Sequence, residues 1–153
     1  MIQRIQSLYL LIVTALFSSL FFIPISKLVI NEEIVTLKLQ ELSVQSATQN
    51  ELIQTLFPTL ILAILIILFA LTTIFVYKNR TLQMRLITYN TIVIAAIFIL
   101  FAYYIYKITI DYNSNFSFSI GFIIPLIAII FNILAYRRIK KDDELVKSID
   151  RIR

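Results

Sequence analysis

Four stretches of this chain, residues 7–25, 56–77, 86–106 and 120–136, contain no Asp, Glu, Lys or Arg. Their lengths of 19, 22, 21 and 17 residues bracket the ~20 helical residues that cross a hydrocarbon core of ~30 Å. Backbone amides and carbonyls in lipid find no water, so each segment must satisfy them internally, as a helix does. None of the four alternates apolar with polar residues as a barrel strand would. A soluble bundle needs polar outer faces, and this chain has too few polar residues: 59% are hydrophobic and 15% charged, against ~45–50% and ~25% in ordinary soluble domains. The expected fold is therefore an all-α membrane protein, one domain over residues 1–153, built as a four-transmembrane-helix bundle. The first stretch offers no small-residue cleavage site near Phe21-Phe22-Ile23-Pro24-Ile25 and reads as an uncleaved anchor.

The residue inventory removes most chemistry. With no Cys and no His there is no disulfide framework, thiol nucleophile, imidazole base or His-ligated metal. A single Gly leaves no glycine-rich phosphate loop. An ionisable residue inside a span marks a functional site by default, and these spans hold none. The reading assigns no catalytic residue, no metal and no cofactor, and predicts that the protein is not an enzyme.

Orientation follows from the basic residues. The connection 78–85 holds Lys78, Arg80 and Arg85 without an acid, and the tail 137–153 holds Arg137, Arg138, Lys140, Lys141, Lys147, Arg151 and Arg153. With Arg4, eleven bases fall on one side, against Lys27, Lys38 and Lys107 on the other, beside Glu32, Glu33, Glu41, Glu51 and Asp111. Both termini are expected in the cytoplasm, with 78–85 a cytoplasmic loop and 26–55 and 107–119 outer segments. The pI near 9.6 is then a topology signal and calls for no nucleic-acid partner.

In the longer outer segment Val35, Leu37 and Leu39 alternate with Thr36, Lys38 and Gln40, a half-buried strand pattern. Asn31-Glu32-Glu33 would turn it back onto Val29-Ile30. Lys107-Ile108-Thr109-Ile110 facing Phe116-Ser117-Phe118 makes a second possible hairpin. A lone hairpin is marginal, so the segments are expected to share a small sheet capping the bundle on its outer face. Residues 43–50 read as a polar loop, with Asn50 or Glu51 capping the helix that Pro58 enters.

On the inner side, 137–153 reads as an amphipathic helix continuing the fourth span, with Ile139, Leu145, Val146, Ile149 and Ile152 as its stripe. Residues 1–9 carry a matching stripe of Ile2, Ile5 and Tyr9. The two ends are expected to meet, Ile2 and Ile5 against Leu145, Ile149 or Ile152, with Arg4 near Asp143, Glu144 or Asp150. Gln3, Arg4, Gln6, Arg137, Arg138, Lys140, Lys141, Asp150 and Arg151 form the candidate surface for anionic lipid headgroups or for a membrane-protein partner.

Within the spans Thr73, Asn90 and Asn132 each lie about five residues from the inner boundary, ~7 Å deep. They read as an interhelical polar layer held by hydrogen bonds, with a small polar ligand site as the sharper alternative. Pro125 is expected to kink the fourth helix near Gly121.

The two ends, Met1-Ile2-Gln3-Arg4-Ile5-Gln6-Ser7-Leu8-Tyr9-Leu10 and Asp143-Glu144-Leu145-Val146-Lys147-Ser148-Ile149-Asp150-Arg151-Ile152-Arg153, resemble the opening and closing signatures of a Bacteroidota family of small four-span inner-membrane proteins, catalogued as a domain of unknown function. The resemblance implies the bacterial inner membrane and an accessory role, with the residues at both ends forming one cytoplasmic feature; it brings no catalytic residues with it. The leading expectation is an integral membrane accessory or assembly protein that binds a larger complex. The alternative is a carrier or channel for a small neutral or lipidic solute, using a cleft near Asn90, Asn132 and Pro125.

Overall fold

The structure is a computed structural model that describes residues 3–30, 33–45, 50–77, 79–112 and 115–150. Its elements run α1 (Gln3–Ser19), β1 (Ser26–Ile30), β2 (Glu33–Leu37), β3 (Glu41–Gln45), β4 (Asn50–Thr55), α2 (Phe57–Phe75), α3 (Arg80–Tyr112), β5 (Asn115–Phe118) and α4 (Ile120–Asp150). Three helical stretches, Phe57–Phe75, Arg80–Ile110 and Ile120–Val146, are long and apolar enough to cross a membrane, and α1 contributes a shorter apolar stretch, Ile5–Ser19. This is the composition of a membrane protein.

Buried positions recur alternately every three and four residues: Gln6, Leu10, Val13, Phe17 and Leu20 from α1 onward; Thr59, Ala63, Ile66, Ala70 and Thr73 on α2; Gln83, Ile87, Asn90, Ile94, Ile97 and Phe101 on α3; Ala128, Asn132, Ala135 and Ile139 on α4. That repeat keeps one stripe of each helix facing its neighbours in a left-handed bundle. The helices close a ring in which α1 and α3 each pack against both α2 and α4. Side-chain size follows the ring. The stripes of α2 and α4 are rich in small residues, whereas α1 and α3 present Leu10, Phe17, Ile94, Ile97 and Phe101. Each bulky stripe thus lies between two slim ones. Lipid offers no hydrophobic drive for helices to associate, so this fit supplies the van der Waals contact that does. The opposite faces keep large apolar residues exposed, among them Leu8, Leu11, Ile61, Leu68, Ile92, Ile99 and Ile130. Such a surface is a liability in water and the proper surface in lipid.

All five strands fall in the two connections at one end of the bundle, between α1 and α2 and between α3 and α4. They form one antiparallel sheet in the order β4-β3-β2-β1-β5. The sheet is tied to the helices by main-chain bonds from Leu56 N to Gln40 O at 2.8 Å and from Ile25 N to Leu37 O at 2.7 Å. The buried Thr59 hydroxyl adds a contact to Leu39 O at 2.6 Å. Val35, Leu37 and Leu39 reach the core while Thr36 pairs hydroxyl to hydroxyl with Ser43 at 3.0 Å. The only glycine lies where the sheet end is tightest: a Cβ on Gly121 would meet Pro24 O at 2.5 Å. Close backbone approach is what Gly allows and any other residue obstructs.

Several expectations need correction. The first helix stops at Ser19, and the chain continues to Ile23 in turns bonded to the carbonyls of Ser18 and Ser19. Residues 107–110 are helical, because α3 runs on to Tyr112. Residues 107–110 and 116–118 therefore do not pair as a hairpin; β5 pairs instead with β1, Ser26 opposite Phe118. Residues 43–45 and 50 are strand and not loop: β3 and β4 pair with a register shift at Leu42/Ser43, and 46–49 lie outside the described residues. Asn50 and Glu51 therefore belong to a strand, and α2 begins after Leu56 without a side-chain cap, with Pro58 in its first turn. The 78–85 connection is mostly helix, α3 starting at Arg80. The continuation of the fourth helix into the tail is observed as far as Asp150. Asn31, Glu32, Ile2, Arg151 and Ile152 lie outside the described residues.

Candidate functional site

At the end of the bundle opposite the sheet, the buried stripes turn polar. Gln6 continues the α1 stripe, Gln83 the α3 stripe, and Asp142 follows Ile139 by three on α4. Gln6 Nε2 donates to Asp142 Oδ2. Arg80 Nη1 donates to the Asp142 carbonyl oxygen at 2.8 Å, and Gln83 Nε2 to Thr73 O at 3.0 Å. One turn deeper, Leu10, Ile87, Ala135 and Ile139 form an apolar plug joined by Tyr9, Ile74, Met84 and Tyr136. Three side chains thereby tie all four helices together: Gln6 links α1 to α4, Arg80 links α3 to α4, and Gln83 links α3 to α2. The beginning of the chain does meet the tail, through polar groups. Ile5 and Leu145, expected to pack, are 42% and 48% exposed.

The candidate surface residues divide around this cluster. Gln6 is buried within it, whereas Arg137, Arg138, Lys140 and Lys141 are all exposed on α4. Gln3 and Arg4 begin α1 and Asp150 ends α4; their side chains, and Arg151 altogether, lie outside the described residues. Arg80, Gln83 and Asp142 are the members that reading by hydropathy missed, since all three fall outside the apolar runs. Extending the three-four repeat one step beyond the α3 run finds Gln83, and a second step finds Arg80 there and Asp142 beyond Ile139 on α4.

Thr73, Asn90 and Asn132 are each fully buried. They share burial and not a hydrogen-bond network. The Thr73 hydroxyl donates to Phe69 O in its own helix at 2.6 Å. Asn132 Nδ2 reaches Thr91 Oγ1 at 3.4 Å, a long contact, while Asn132 Oδ1 and both amide atoms of Asn90 have no partner. A buried orphan of this kind costs ~1–3 kcal/mol.

Beside Asn132, between α3 and α4, lies a cleft of about 220 Å³ lined by Ile87, Thr88, Thr91, Ile92, Asn132, Ile133 and Tyr136. Its two threonine hydroxyls bond back to their own helix: Thr88 donates to Met84 O at 3.0 Å and Thr91 to Ile87 O at 2.8 Å. The cleft opens on the flank of the bundle and not along its axis, where Ile94, Ile97, Phe17 and Phe101 fill the space. Among the described residues, no group of three Asp or Glu gathers as a metal site.

No curated protein matches this sequence. A family profile does, over residues 2–152: the chain belongs to the family described as domain of unknown function DUF4293.

Proposed function

We propose that this member of a family without an assigned activity is a non-enzymatic accessory or assembly protein of the bacterial inner membrane, docking on a larger membrane complex through its basic α4 arm. The observation that carries the reading is the arm itself. α4 has 31 residues and α2 has 19, so α4 is ~18 Å longer at 1.5 Å per residue. It begins at the sheet end, so at the other end α4 outruns α2; Asp142 lies beside the first turns of α1 and α3, and residues 143–150 run on past it. Gln6 and Arg80 clamp the arm at Asp142, holding a helix that exposes Arg137, Arg138, Lys140 and Lys141 next to Leu145 and Val146. A rigid helix with bases and uncovered apolar residues suits a protein surface or anionic headgroups.

The same reading places all four helices across the membrane. α1 supports this with the outward apolar residues Leu8 and Leu11, and its 17 residues are extended by the turns to Ile23 toward the ~20 that a bilayer requires. The excess of bases at the arm end puts that end and both termini in the cytoplasm, and the sheet becomes an outer cap. The filled axis of the bundle favours this reading over a carrier, which would need a path through the interior.

Native purification from membranes in mild detergent tests the proposal. The wild-type chain is expected to migrate in a complex several times its own mass, and Arg137→Gln/Arg138→Gln/Lys140→Gln/Lys141→Gln to release it. Migration of the wild type as a free monomer or homodimer would overturn the reading.

A further inference from the structure

We infer that the cleft between α3 and α4 is a binding site for one anionic phospholipid of the leaflet at the arm end. The inference needs only α3 and α4 in the bilayer and is independent of the accessory role.

A phospholipid matches the chemistry of the cleft and of its mouth. The floor and walls of the cleft are apolar, with Ile87, Ile92 and Ile133 prominent, and Ile92 and Ile133 face outward at 60% and 42% exposure. An acyl chain fills such a surface better than water does. Set among these apolar residues are Asn132, level with Thr91, and, one turn nearer the end of α4, Tyr136. Each Asn amide nitrogen carries two protons. Thr91 has committed its only proton to Ile87 O, so Asn132 Nδ2 donates to Thr91 and keeps one proton for a ligand. The Asn132 side chain is fully buried at the floor of the cleft, with Oδ1 unpartnered. One helical turn further out lie the cations. Arg85 precedes Thr88 by three on α3; Arg137 follows Ile133 by four and Lys140 follows Tyr136 by four on α4. Residues three and four apart share a helix face, and α3 and α4 are antiparallel, so all three bases rim one mouth. All three are exposed, and no ion pair or side-chain hydrogen bond engages them among the described residues.

The site therefore offers hydrocarbon surface with hydrogen-bonding groups set into it, and positive charge at its mouth one turn further out. A phospholipid presents acyl chains, then ester carbonyls that only accept, then a phosphate. An anionic headgroup adds a preference over a zwitterionic one. A single base near an anionic membrane surface is worth roughly fivefold in binding, so three partly screened bases give a preference of about tenfold or more. A transmembrane helix from another protein could fill the apolar part, yet it has no use for three cations at the mouth.

The test uses the full chain in vesicles of equimolar phosphatidylglycerol and phosphatidylcholine with identical acyl chains, extracted into neutral detergent for native mass spectrometry. The wild type is expected to retain phosphatidylglycerol over phosphatidylcholine by about tenfold. Arg85→Gln/Arg137→Gln/Lys140→Gln should bring the ratio to about one, and Ile133→Trp, which fills the cleft at an exposed position, should deplete both lipids. Equal retention by the wild type, or a preference that survives loss of the three charges, overturns the inference. Should a variant fail to fold, the wild type with a phosphatidylglycerol bearing a photoreactive acyl chain decides alone: adducts on residues 87–92 and 132–136 support the site, and adducts elsewhere exclude it. A dimeric wild type that Ile133→Trp converts to monomer would assign the cleft to a second copy of the chain and overturn the lipid.

Discussion

Replacing Asn90 by Leu should make the protein more stable. Asn90 is fully buried, and neither its amide nitrogen nor its amide oxygen has a hydrogen-bond partner. A buried orphan group costs ~1–3 kcal/mol, and Leu has nearly the shape of Asn without either polar atom. Position 90 lies between Ile87 and Ile94 on the core stripe of α3, both buried at 1% and 0% exposure, so the new side chain enters an apolar setting. A gain of about 1–3 kcal/mol is expected, which for a chain of this size raises the melting temperature by roughly 2–4 °C per kcal/mol. Circular dichroism in a mild detergent follows the loss of helix directly. Asn90→Ala serves as the control, since it removes the same polar atoms and opens a cavity, so it should melt below Asn90→Leu. A drop in melting temperature for Asn90→Leu would refute the reasoning, because it would mean that the amide has a partner, water or ligand, whose loss outweighs the gain.

Three further substitutions probe the ties that hold the fold. Gly121→Ala should lower stability by as much as about 2 kcal/mol net: forcing Pro24 O away from a contact of 2.5 Å costs ~1–3 kcal/mol as overpacking, against ~1 kcal/mol gained in helix propensity. Thermal melting checks it, and an unchanged midpoint would show that the sheet end yields freely. Gln6→Ala removes the donor to Asp142 and should cost about 1–2 kcal/mol, with faster amide hydrogen exchange over residues 139–146. Thr59→Val removes a buried hydroxyl bound to Leu39 O and should cost about 1 kcal/mol, speeding exchange over 35–41 while leaving the helices protected.

Much of the fold was legible because charge is so costly in lipid. The absence of Asp, Glu, Lys and Arg locates α2, α3 and α4, and the alternation of Val35, Leu37 and Leu39 marks a strand face. The misreadings share one cause, which is that hydropathy reports environment and not backbone conformation. Lys107 looked like a boundary, yet α3 passes through it and ends at Tyr112. Residues 43–45 and 50 looked like a loop because strands away from the apolar helices, as at Thr36 and Ser43, carry polar residues on a paired surface. The interior polar layer was legible as burial of Thr73, Asn90 and Asn132, because amides avoid lipid. Its bonding was not, since Thr73 takes its partner from its own helix. Arg80 and Asp142, which complete the clamp with Gln6, escaped notice for the opposite reason: charged residues at a helix end read as solvated until the three-four repeat is carried past the last apolar residue.

The central claim is that all four helices cross the membrane, with the sheet outside and the basic arm inside. The chain has no cysteine, so single cysteines can be placed at the exposed positions Ile5, Thr55, Asn79, Lys107 and Lys141 and treated with a membrane-impermeant maleimide. Thr55→Cys and Lys107→Cys should label in intact spheroplasts, while Ile5→Cys, Asn79→Cys and Lys141→Cys should label only after permeabilisation. Labelling of Ile5→Cys together with Thr55→Cys in intact spheroplasts would place both ends of α1 on one side and contradict the four-span account.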